Sequence, residues 1–409
     1  MEALGGRDAG GGRRCAAGAL IEWLLLGAAA VALLYQSAAL AASAGFFLRM
    51  RLAPAQPPAA WPPVSILKPV YGLDPQLEEA VASHLRLDYP EYELLIGFQR
   101  ADDPAIPVLK RLLEQHPEAQ ARIEIIPTQA PNAKTGVLEG LSRKASHEVL
   151  AVNDADILVT PDYLRRIVAR LHDPGVGVVT CLYHARAASL PGCFEALGIA
   201  TDFMPSALVA PFVGVREFGF GSTLCFRRAD LQAIGGFQAF DDYIADDYQL
   251  ASRIAALGKR AAFADVAVLT YLADPDWRSV WRHQLRWART IRFSRPGGFA
   301  GMPVTHAGLW ALANLAAGNF GAAAALWLAR SVMGAFAGFA VLRHWPALLA
   351  APLIPLWDLF AFAIWAAAWC GRSAWWRGHR IVIGDRGRIV RKCSPEAPVP
   401  ASLQGRDSR

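Results

Sequence analysis

The chain has 409 residues, 54% of them apolar, and a formal net charge of +6. The apolar fraction is high for a soluble protein and is concentrated toward both ends, which indicates a membrane protein with a soluble middle. Six cysteines without a CxxC pair argue against a disulfide framework or a zinc ribbon, and arginines crowded beside apolar segments favour a membrane surface or phosphates over nucleic acid as partners.

The first part of the chain predicts a membrane anchor. Residues 1–16 are rich in Gly and Arg, and we expect them to be disordered because they are too polar to pack. Residues 17–48 are apolar for longer than a signal-peptide core and lack a convincing cleavage site, which predicts a retained transmembrane helix. The prolines of residues 49–63 predict a stiff linker.

Residues 64–275 have the pattern of a soluble α/β domain. Predicted strands at 64–69, 93–98, 122–126, 150–159 and 175–182 alternate with predicted helices, while the segment from there to Gly219 is predicted to be rich in loops. This alternation predicts a mostly parallel sheet, in which ligands bind beyond the carboxyl ends of the strands. Four aspartates fall at such ends: Asp102, Asp103, Asp154 and Asp156.

The stretch Asp154-Ala155-Asp156 follows an apolar run that begins at Leu150. If the strand continues through these residues, the two carboxylates share a face and can reach one cation. Such hard oxygen ligands suit Mg²⁺ or Mn²⁺ bound to a nucleotide diphosphate. Taken alone, the stretch fits a turn with two solvated aspartates equally well.

A second acidic pair, Asp246-Asp247, opens a predicted helix. Aspartate is favoured in a first helical turn because its charge interacts well with the helix dipole and its oxygens cap free N–H groups. Capping accounts for one of these two carboxylates and does not need both. The second is therefore available for chemistry.

Residues 276–300 are predicted to contain an amphipathic helix. Arginines recur along one side at spacings of three or four: Arg278, Arg282, Arg286 and Arg289. Trp281, Leu285 and Ala288 adjoin that side, a pattern typical of a helix at a membrane interface. A solvated basic face is the alternative.

Residues 301–370 form a second apolar region, with Arg330 and Asp358 as isolated charges. Its first part, residues 306–341, is too long for one span and barely long enough for two. We expect two spans in the whole region and an interfacial or re-entrant remainder, since an even number returns the chain to the side of the soluble domain. The basic residues of 371–409 place this tail in the cytoplasm by the positive-inside rule.

An ordered set of motifs resembles the ceramide glucosyltransferases. The motifs are Val64-Ser-Ile-Leu-Lys-Pro-Val-Tyr-Gly-Leu-Asp-Pro, Leu87-Asp-Tyr-Pro-Glu-Tyr-Glu, Asp102-Asp-Pro-Ala-Ile, Ile244-Ala-Asp-Asp-Tyr and Arg286-Trp287. Each is weak alone, but the set spans roughly residues 62–295 in the family's order. The resemblance implies an α/β GT-A nucleotide-sugar transferase domain with a mostly parallel, Rossmann-like sheet, between an N-terminal transmembrane helix and C-terminal ones.

The resemblance also implies roles for individual residues. Asp103 would contact the uridine, with Asp102 and Pro69 nearby, and Asp154 and Asp156 would bind the metal and diphosphate. Asp247 would be the general base, with Asp246 as substitute, and Arg286 and Trp287 form the Arg-Trp pair. The family has Gln or Arg three residues before Arg286, where this chain has His283; this histidine either bonds a phosphate or the acceptor, or is structural.

Sugar transfer from a nucleotide fits these residue types independently. The diphosphate leaving group needs a divalent metal and a cation, for which Lys134 or Arg286 is suited, and the acceptor hydroxyl needs a base. One base without an enzyme nucleophile predicts inversion at the sugar carbon. The resemblance implies a UDP-sugar as the donor and glucose as the sugar, and the apolar segments on both sides of the soluble domain favour a membrane lipid as the acceptor.

Ceramide is the family's usual acceptor, and transfer of N-acetylglucosamine to a hopanoid is the alternative. A processive polysaccharide synthase fits less well because too few C-terminal spans are predicted for a translocation channel. A transporter or scaffold fits less well because the spans carry few charges. The composition suggests a multi-pass protein of a bacterial inner membrane with a cytoplasmic catalytic domain.

Overall fold

The structure is a computed structural model that describes residues 9–273, 275–376 and 379–393, with side chains from residue 18 onward. Its first helix, α1 (Ala9–Leu52), begins earlier than the predicted 17. Residues 9–16, predicted to be disordered, therefore continue the helix, because extending a formed helix is far easier than nucleating one and no proline interrupts the segment. Residues 1–8 lie outside the described part of the chain.

Eight strands of the described residues form the main sheet. They are β1 (Val64–Val70), β2 (Tyr92–Phe98), β3 (Ala121–Ile125), β4 (Val149–Val152), β5 (Ile157–Leu158), β6 (Val176–Arg186), β7 (Leu224–Arg227) and β8 (Arg260–Tyr271). Their order is β3-β2-β1-β4-β7-β6-β8-β5. The first four strands of this order are parallel, β7 is antiparallel to both its neighbours, and β6 pairs parallel with β8. The prediction of a mostly parallel sheet is confirmed.

Helices of the catalytic domain cover both faces of this sheet. They are α2 (Leu77–Leu85), α3 (Ala105–Glu114), α4 (Ala133–Lys144), α5 (Tyr163–Leu171), α6 (Leu190–Gly198), α7 (Met204–Val209), α8 (Arg228–Ala233) and α9 (Asp246–Ala256). Successive strand residues point to opposite faces, so Ile66 joins one apolar cluster and Leu67 the other. Because both faces are covered, the central strands β1 and β4 are buried along their whole length.

The segment between β6 and β7 is helical, and the prediction that it is rich in loops is wrong. α6 continues through a π-helical turn (Ile199–Phe203) into α7 and a 3₁₀ turn. The segment is apolar on all sides, so it lacks the periodicity by which a sequence reveals an amphipathic helix. Residues 190–213 are long and apolar enough to cross a membrane, but both ends join strands of one sheet, which excludes a single crossing.

The remaining helices follow the catalytic domain. They are α10 (Trp277–Ser294), α11 (Pro296–Ala300), α12 (Ala307–Ala316), α13 (Phe320–Ala335), α14 (Trp345–Leu349) and α15 (Ile354–Trp369). Besides residues 190–213, three described helical segments are long and apolar enough for a span: Gly18–Leu52, Phe320–Val341 and Ala351–Trp369. Two of these follow the catalytic domain, and α12 is a shorter apolar helix.

Helix α1 packs against α12 and α13 through small residues. Ala29 and Ala32 lie in one buried cluster with Ala307, Ala311 and Leu326. Small side chains let helix backbones approach closely, which is the usual means of helix association in a membrane.

Arg330 and Asp358, predicted as isolated charges, form a buried ion pair. Arg330 Nη2 lies 2.9 Å from Asp358 Oδ1, and both side chains are essentially inaccessible. Arg330 also donates to the carbonyl of Thr201, and Asp358 accepts from the N–H of Gly308. The pairing has a simple cause, because an unpaired charge in apolar surroundings is very costly.

The apolar side of α10, predicted to face lipid, contacts protein in this structure. Ala288 is buried in one cluster with Phe299, Ile364 and Ala368, so α15 and α11 cover this side. The basic side is also occupied, because Arg289 donates to the carbonyls of Cys370 and Ser373. The arginine spacing therefore fits a helix that holds other protein segments on two sides.

The basic tail, for which only a cytoplasmic location was predicted, forms a second sheet. It consists of β9 (Ser373–Trp376), β10 (His379–Ile383) and β11 (Ile389–Cys393), paired antiparallel in the order β11-β10-β9. Buried isoleucines at 381, 383 and 389 pack it against Ile244 of the catalytic domain. Residues 377, 378 and 394–409 of the tail lie outside the described residues.

Candidate active site

Asp154 and Asp156 lie in a turn between β4 and β5, so of the two interpretations of this stretch the structure has the turn and not a continued strand. The amide of buried Asn153 fixes the backbone here by donating to Tyr163 Oη and to the carbonyl of Ser222. The Asp154 N–H donates to the carbonyl of Gly221 at 2.9 Å. The turn is thus held from both sides, and its position is fixed by buried hydrogen bonds.

Lys134 joins two of the carboxylates predicted from separate motifs. It follows Asn132, which caps α4 by accepting from the Lys134 N–H. Its Nζ lies 2.8 Å from Asp154 Oδ1 and 3.0 Å from Asp246 Oδ2. Burial lowers the pKa of Lys134, but these carboxylates outweigh it and raise the pKa above its ordinary value. Lys134 is therefore a fixed cation at the centre of an acidic site.

Asp247 occupies the same centre and shares a backbone contact with Asp154. Its Oδ2 accepts from the N–H of Gly221 at 3.0 Å, and its Oδ1 accepts from the N–H of Tyr248 at 2.7 Å. Burial and the neighbouring Asp246 raise the pKa of Asp247 to about 6, although Lys134 opposes the rise. A carboxylate with this pKa is ionised at neutral pH and is more basic than an ordinary aspartate.

Gly221 is a residue of the candidate site that the sequence analysis missed. Its carbonyl binds the Asp154 N–H while its own N–H binds Asp247. A Cβ at this position would lie 2.3 Å from Asp154 Oδ2, so no other residue fits without moving that carboxylate. The signal was the Gly219-Phe-Gly-Ser-Thr stretch, where a glycine precedes a buried strand.

Asp156 accepts from Thr270 Oγ1, whereas the ion pairs of Lys134 are with Asp154 and Asp246. Burial and Asp154 raise the pKa of Asp156. Beside it lies Lys68, a fully buried lysine in β1 that donates to the Asp154 carbonyl at 2.9 Å. Burial lowers the pKa of Lys68 to about 7, although Asp156 and Asp154 oppose this. Lys68 was also missed, and its signal was a lone lysine within an apolar strand.

The carboxylates here suit a divalent cation that takes some of its ligands from the protein and the others from a bound substrate. Among the described residues no group of three or more His, Cys, Asp or Glu side chains forms a complete metal site. Asp154 and Asp156 provide carboxylate oxygens, one of them already turned toward a cation. Mg²⁺ and similar ions commonly bind one or two carboxylates and take further ligands from phosphates and water. The residues therefore fit such an ion.

A cavity of about 240 Å³ lies beside Lys134. The described residues that line it are Pro69, Val70, Tyr71, Gln99, Arg100, Ala133, Lys134, Val137, Trp376, His379 and Lys392. Two predicted nucleotide contacts, Pro69 and Lys134, are thus at this cavity. Its lining contains several cationic side chains and no described acidic residue, which suits a phosphorylated ligand.

Asp103 and Asp102 are near this cavity but do not line it among the described residues. Asp103 binds the chain after β1, accepting from the N–H of Gly72 at 2.8 Å, and it also accepts from the Ala105 N–H. Asp102 is exposed and bonds Arg100, whose Nε lies 2.8 Å from Oδ1. Contact of either aspartate with a uridine stays a prediction.

His283 and Trp287 lie on one side of α10, with ring centroids 4.6 Å apart. His283 Nδ1 lies 2.6 Å from the buried Glu195 Oε1, and Gln284 Nε2 donates to the same oxygen. Trp287 packs against Phe203. Arg286 is half-buried on the same helix, and its role as a cation for the diphosphate stays a prediction.

The family model described as Glycosyl transferase family 21 matches residues 24–389 of this chain. Ceramide glucosyltransferase 1 of Caenorhabditis elegans is 27% identical over 238 residues, which are 57% of this chain and 51% of that protein. A ceramide glucosyltransferase of Gibberella zeae is 32% identical over 127 residues, 28% of this chain and 24% of the relative. The chain thus spans about half the length, or less, of these curated relatives.

A solved structure shares the fold. It is a mannosyltransferase from Pyrobaculum calidifontis in complex with GDP-mannose and Mn²⁺, which aligns with a TM-score of 0.50 at 24% identity. The alignment covers 83% of this chain and 97% of the mannosyltransferase. The expected GT-A architecture with apolar helices at both ends is confirmed.

Proposed function

The chain belongs to glycosyl transferase family 21, and on this premise we propose that it transfers glucose from a UDP-sugar to the hydroxyl of ceramide with inversion. The observation that carries the proposal is the convergence of Asp154, Asp246 and Asp247 around Lys134, beside a cavity lined by cations. The cationic lining of the cavity suits the negative charge of a nucleotide diphosphate. The carboxylate of Asp247 next to the cavity suits deprotonation of the acceptor hydroxyl.

Asp247 is the proposed general base. Its raised pKa of about 6 leaves it ionised at neutral pH yet basic enough to take the proton of the acceptor hydroxyl as the hydroxyl attacks the sugar. Asp246 is engaged by Lys134 and is less suited to this role. A single base and direct attack produce inversion at the sugar carbon.

Lys134 and a divalent cation are the proposed stabilisers of the leaving diphosphate. Asp154 and Asp156 would hold the ion, and when bound it would neutralise charge on the phosphate oxygens. Lys134 reaches the lining of the cavity and is held there by Asp154 and Asp246. The structurally similar mannosyltransferase is a complex with Mn²⁺, which supports a divalent metal.

The membrane helices and the names of the similar proteins support a lipid acceptor. Described helices on either side of the catalytic domain are long and apolar enough for spans, and curated relatives act on ceramide by name. We propose a multi-pass protein with the catalytic domain in the cytoplasm of a bacterial cell. The basic C-terminal sheet packs on that domain, which agrees with the positive-inside rule.

The test uses the full-length protein purified in detergent. It is supplied with Mg²⁺ or Mn²⁺, a panel of UDP-sugars, and ceramide, diacylglycerol or a hopanoid, and products are identified by mass spectrometry. A single glucosylated ceramide supports the proposal, and its α or β linkage reports the stereochemistry. A glycosylated hopanoid, an aminosugar product or a ladder of polymer lengths would each contradict it.

Activity that survives both a chelator and Asp154→Ala would exclude the metal site. Asp88→Ala, at a solvent-exposed aspartate on the same domain, is the matched control for loss of one carboxylate. We expect this control to retain activity.

A further inference from the structure

The C-terminal sheet, made of β9, β10 and β11, has one inward and one outward face. Trp376 pairs with His379, and Ile381 pairs with both Ala374 and Lys392. Directly paired residues lie on the same face of an antiparallel sheet. The burial of Ala374 and Ile381 identifies this face as the inward one.

This inward face reaches the cavity beside Lys134. Trp376, His379 and Lys392 line it, opposite the ends of β1 and β2 and the start of α4. These three residues come from the far end of the described chain, more than two hundred residues after Lys134. They supply an aromatic ring, an imidazole and an ammonium group to a cavity whose other wall belongs to the catalytic domain.

The sheet is fixed to the catalytic domain at the segment that precedes the acidic pair. The Ile389 N–H donates to the carbonyl of Asp242 at 2.6 Å, and the Ile244 N–H donates to the carbonyl of Gly387 at 3.0 Å. Arg388 adds a hydrogen bond to Tyr243 Oη. The Asn132 amide, at the start of α4, donates to the Tyr243 carbonyl. One short segment therefore holds the sheet, the Lys134 helix and the start of α9 together.

Helix α10 fixes the other end of the sheet. Arg289 donates to the carbonyls of Ser373 and Cys370, and Arg292 to those of Trp369 and Gly371. Two arginines thus satisfy four backbone carbonyl groups between the end of α15 and the start of β9. These hydrogen bonds fix the position of β9 relative to α10.

We propose that the C-terminal sheet is the second wall of the nucleotide site, with Trp376 contacting the nucleoside and Lys392 the diphosphate. Bases stack favourably on aromatic rings, and an ammonium group stabilises phosphate oxygens. The identity of the ligand as a uridine diphosphate rests on the proposed function. The assignment of this wall rests on the lining of the cavity and the register of the sheet.

Neighbouring residues on the outward face provide matched controls. Trp375 precedes Trp376 on β9 but is half-exposed and lies near Arg282. Arg391 precedes Lys392 on β11 and pairs with Val382, away from the cavity. Each control removes the same kind of side chain from the same strand without touching the proposed wall.

The experiment measures binding of UDP and of uridine to the full-length protein in detergent by calorimetry, with Mg²⁺ present and no lipid acceptor. We expect Trp376→Ala to weaken both ligands by about tenfold or more, the loss of one stacking contact. Lys392→Ala should weaken UDP severalfold and leave uridine unchanged. Trp375→Ala and Arg391→Ala should match the wild type for both ligands.

Three outcomes separate the possibilities. If the wild type binds no uridine nucleotide, the proposed donor is wrong. If it binds UDP but Trp376→Ala and Lys392→Ala bind equally well, the second wall is wrong while the proposed function stands. If Trp376→Ala unfolds, shown by a lost thermal transition, Trp376→Leu decides, because leucine keeps apolar bulk without an aromatic ring. Unchanged uridine affinity in Trp376→Leu, together with unchanged UDP affinity in Lys392→Ala, then overturns the proposal.

Discussion

Two groups of buried charges in this protein are built in opposite ways. In the catalytic domain, one ammonium group of Lys134 faces the carboxylates of Asp154 and Asp246, with Asp247 close by. Among the membrane helices, Arg330 forms an ion pair with Asp358, and Thr201 and Gly308 take up further hydrogen bonds. In the first group two carboxylates contact one ammonium group, whereas in the second one carboxylate contacts one guanidinium.

This difference indicates which buried charges serve function and which serve stability. An ion pair whose charges neutralise each other and whose hydrogen bonds are satisfied does not attract a charged ligand, and breaking it destabilises the folded protein. A cluster of several carboxylates around one ammonium group is costly to assemble, and it gives the site an affinity for protons and metal ions. Substitutions in the first group should therefore change catalysis, and substitutions in the second should change stability.

The largest effect is expected for Asp247→Asn. Removal of the proposed base should lower kcat by about a thousandfold, because general base catalysis contributes on this scale. The unfolding temperature should stay close to that of the wild type, since asparagine removes a buried charge that the fold disfavours. Glucosyl transfer and thermal unfolding are measured on the same preparation.

Asp242→Asn is the control, because this aspartate lies five residues earlier and its side chain pairs with Arg388 near the surface, while its backbone carbonyl is unchanged by the substitution. It should retain activity within a few-fold. Full transfer by Asp247→Asn would remove the base assignment.

The second effect concerns the pair of Arg330 and Asp358. Asp358→Asn leaves the Arg330 guanidinium without its counter-charge, and we expect it to destabilise the protein by about 3–5 kcal/mol. The double variant Arg330→Met, Asp358→Leu should be much less destabilised, because both charges are gone. Thermal unfolding in detergent measures both. A double variant less stable than Asp358→Asn would contradict the explanation by an unpaired charge. A lower activity per folded molecule would contradict a purely structural role.

The third effect is the pH dependence of the reaction. The raised pKa of Asp247, about 6, predicts an acidic limb in kcat/KM, since a protonated carboxyl cannot accept a proton. Activity should fall about tenfold for each pH unit below that value and level off above it. Initial rates between pH 4.5 and 8 at saturating metal test this, and a flat profile would contradict it.

The smallest effect is expected at the residue that departs from the family motif. His283→Gln should keep activity within about threefold, because glutamine can still donate to Glu195. His283→Leu removes that donor and should cost about 1–3 kcal/mol of stability. A large loss in His283→Gln, with normal unfolding, would instead indicate direct contact of His283 with a substrate.

The sheet could be predicted well from the sequence, and so could the aspartates that the structure places around one site. Apolar strands and amphipathic helices carry local patterns, and a parallel sheet brings strand ends such as Asp154 to one edge. The Lys134 bridge could not be foreseen, because it depends on three segments meeting in space. Gly221 was missed for the same reason, since its requirement comes from a carboxylate far away in the chain.

Two regions escaped prediction because their patterns resemble something else. The sequence of residues 190–213 lacks the helical periodicity of apolar and polar residues, so the segment was predicted to be rich in loops. The strands of the C-terminal sheet are short and rich in basic residues, which made the positive-inside rule the dominant signal there. In both cases the contacts that define the structure are distant in sequence.

The order of synthesis gives the C-terminal sheet a further consequence. The ribosome completes every carboxylate of the centre before it makes the helices α12–α15, but Trp376, His379 and Lys392 follow the last of these helices. A nascent chain that ends at Trp369 thus holds the acidic centre without the outer wall of its cavity. The outer wall of the cavity can therefore be completed only after all of the apolar helices have been synthesised.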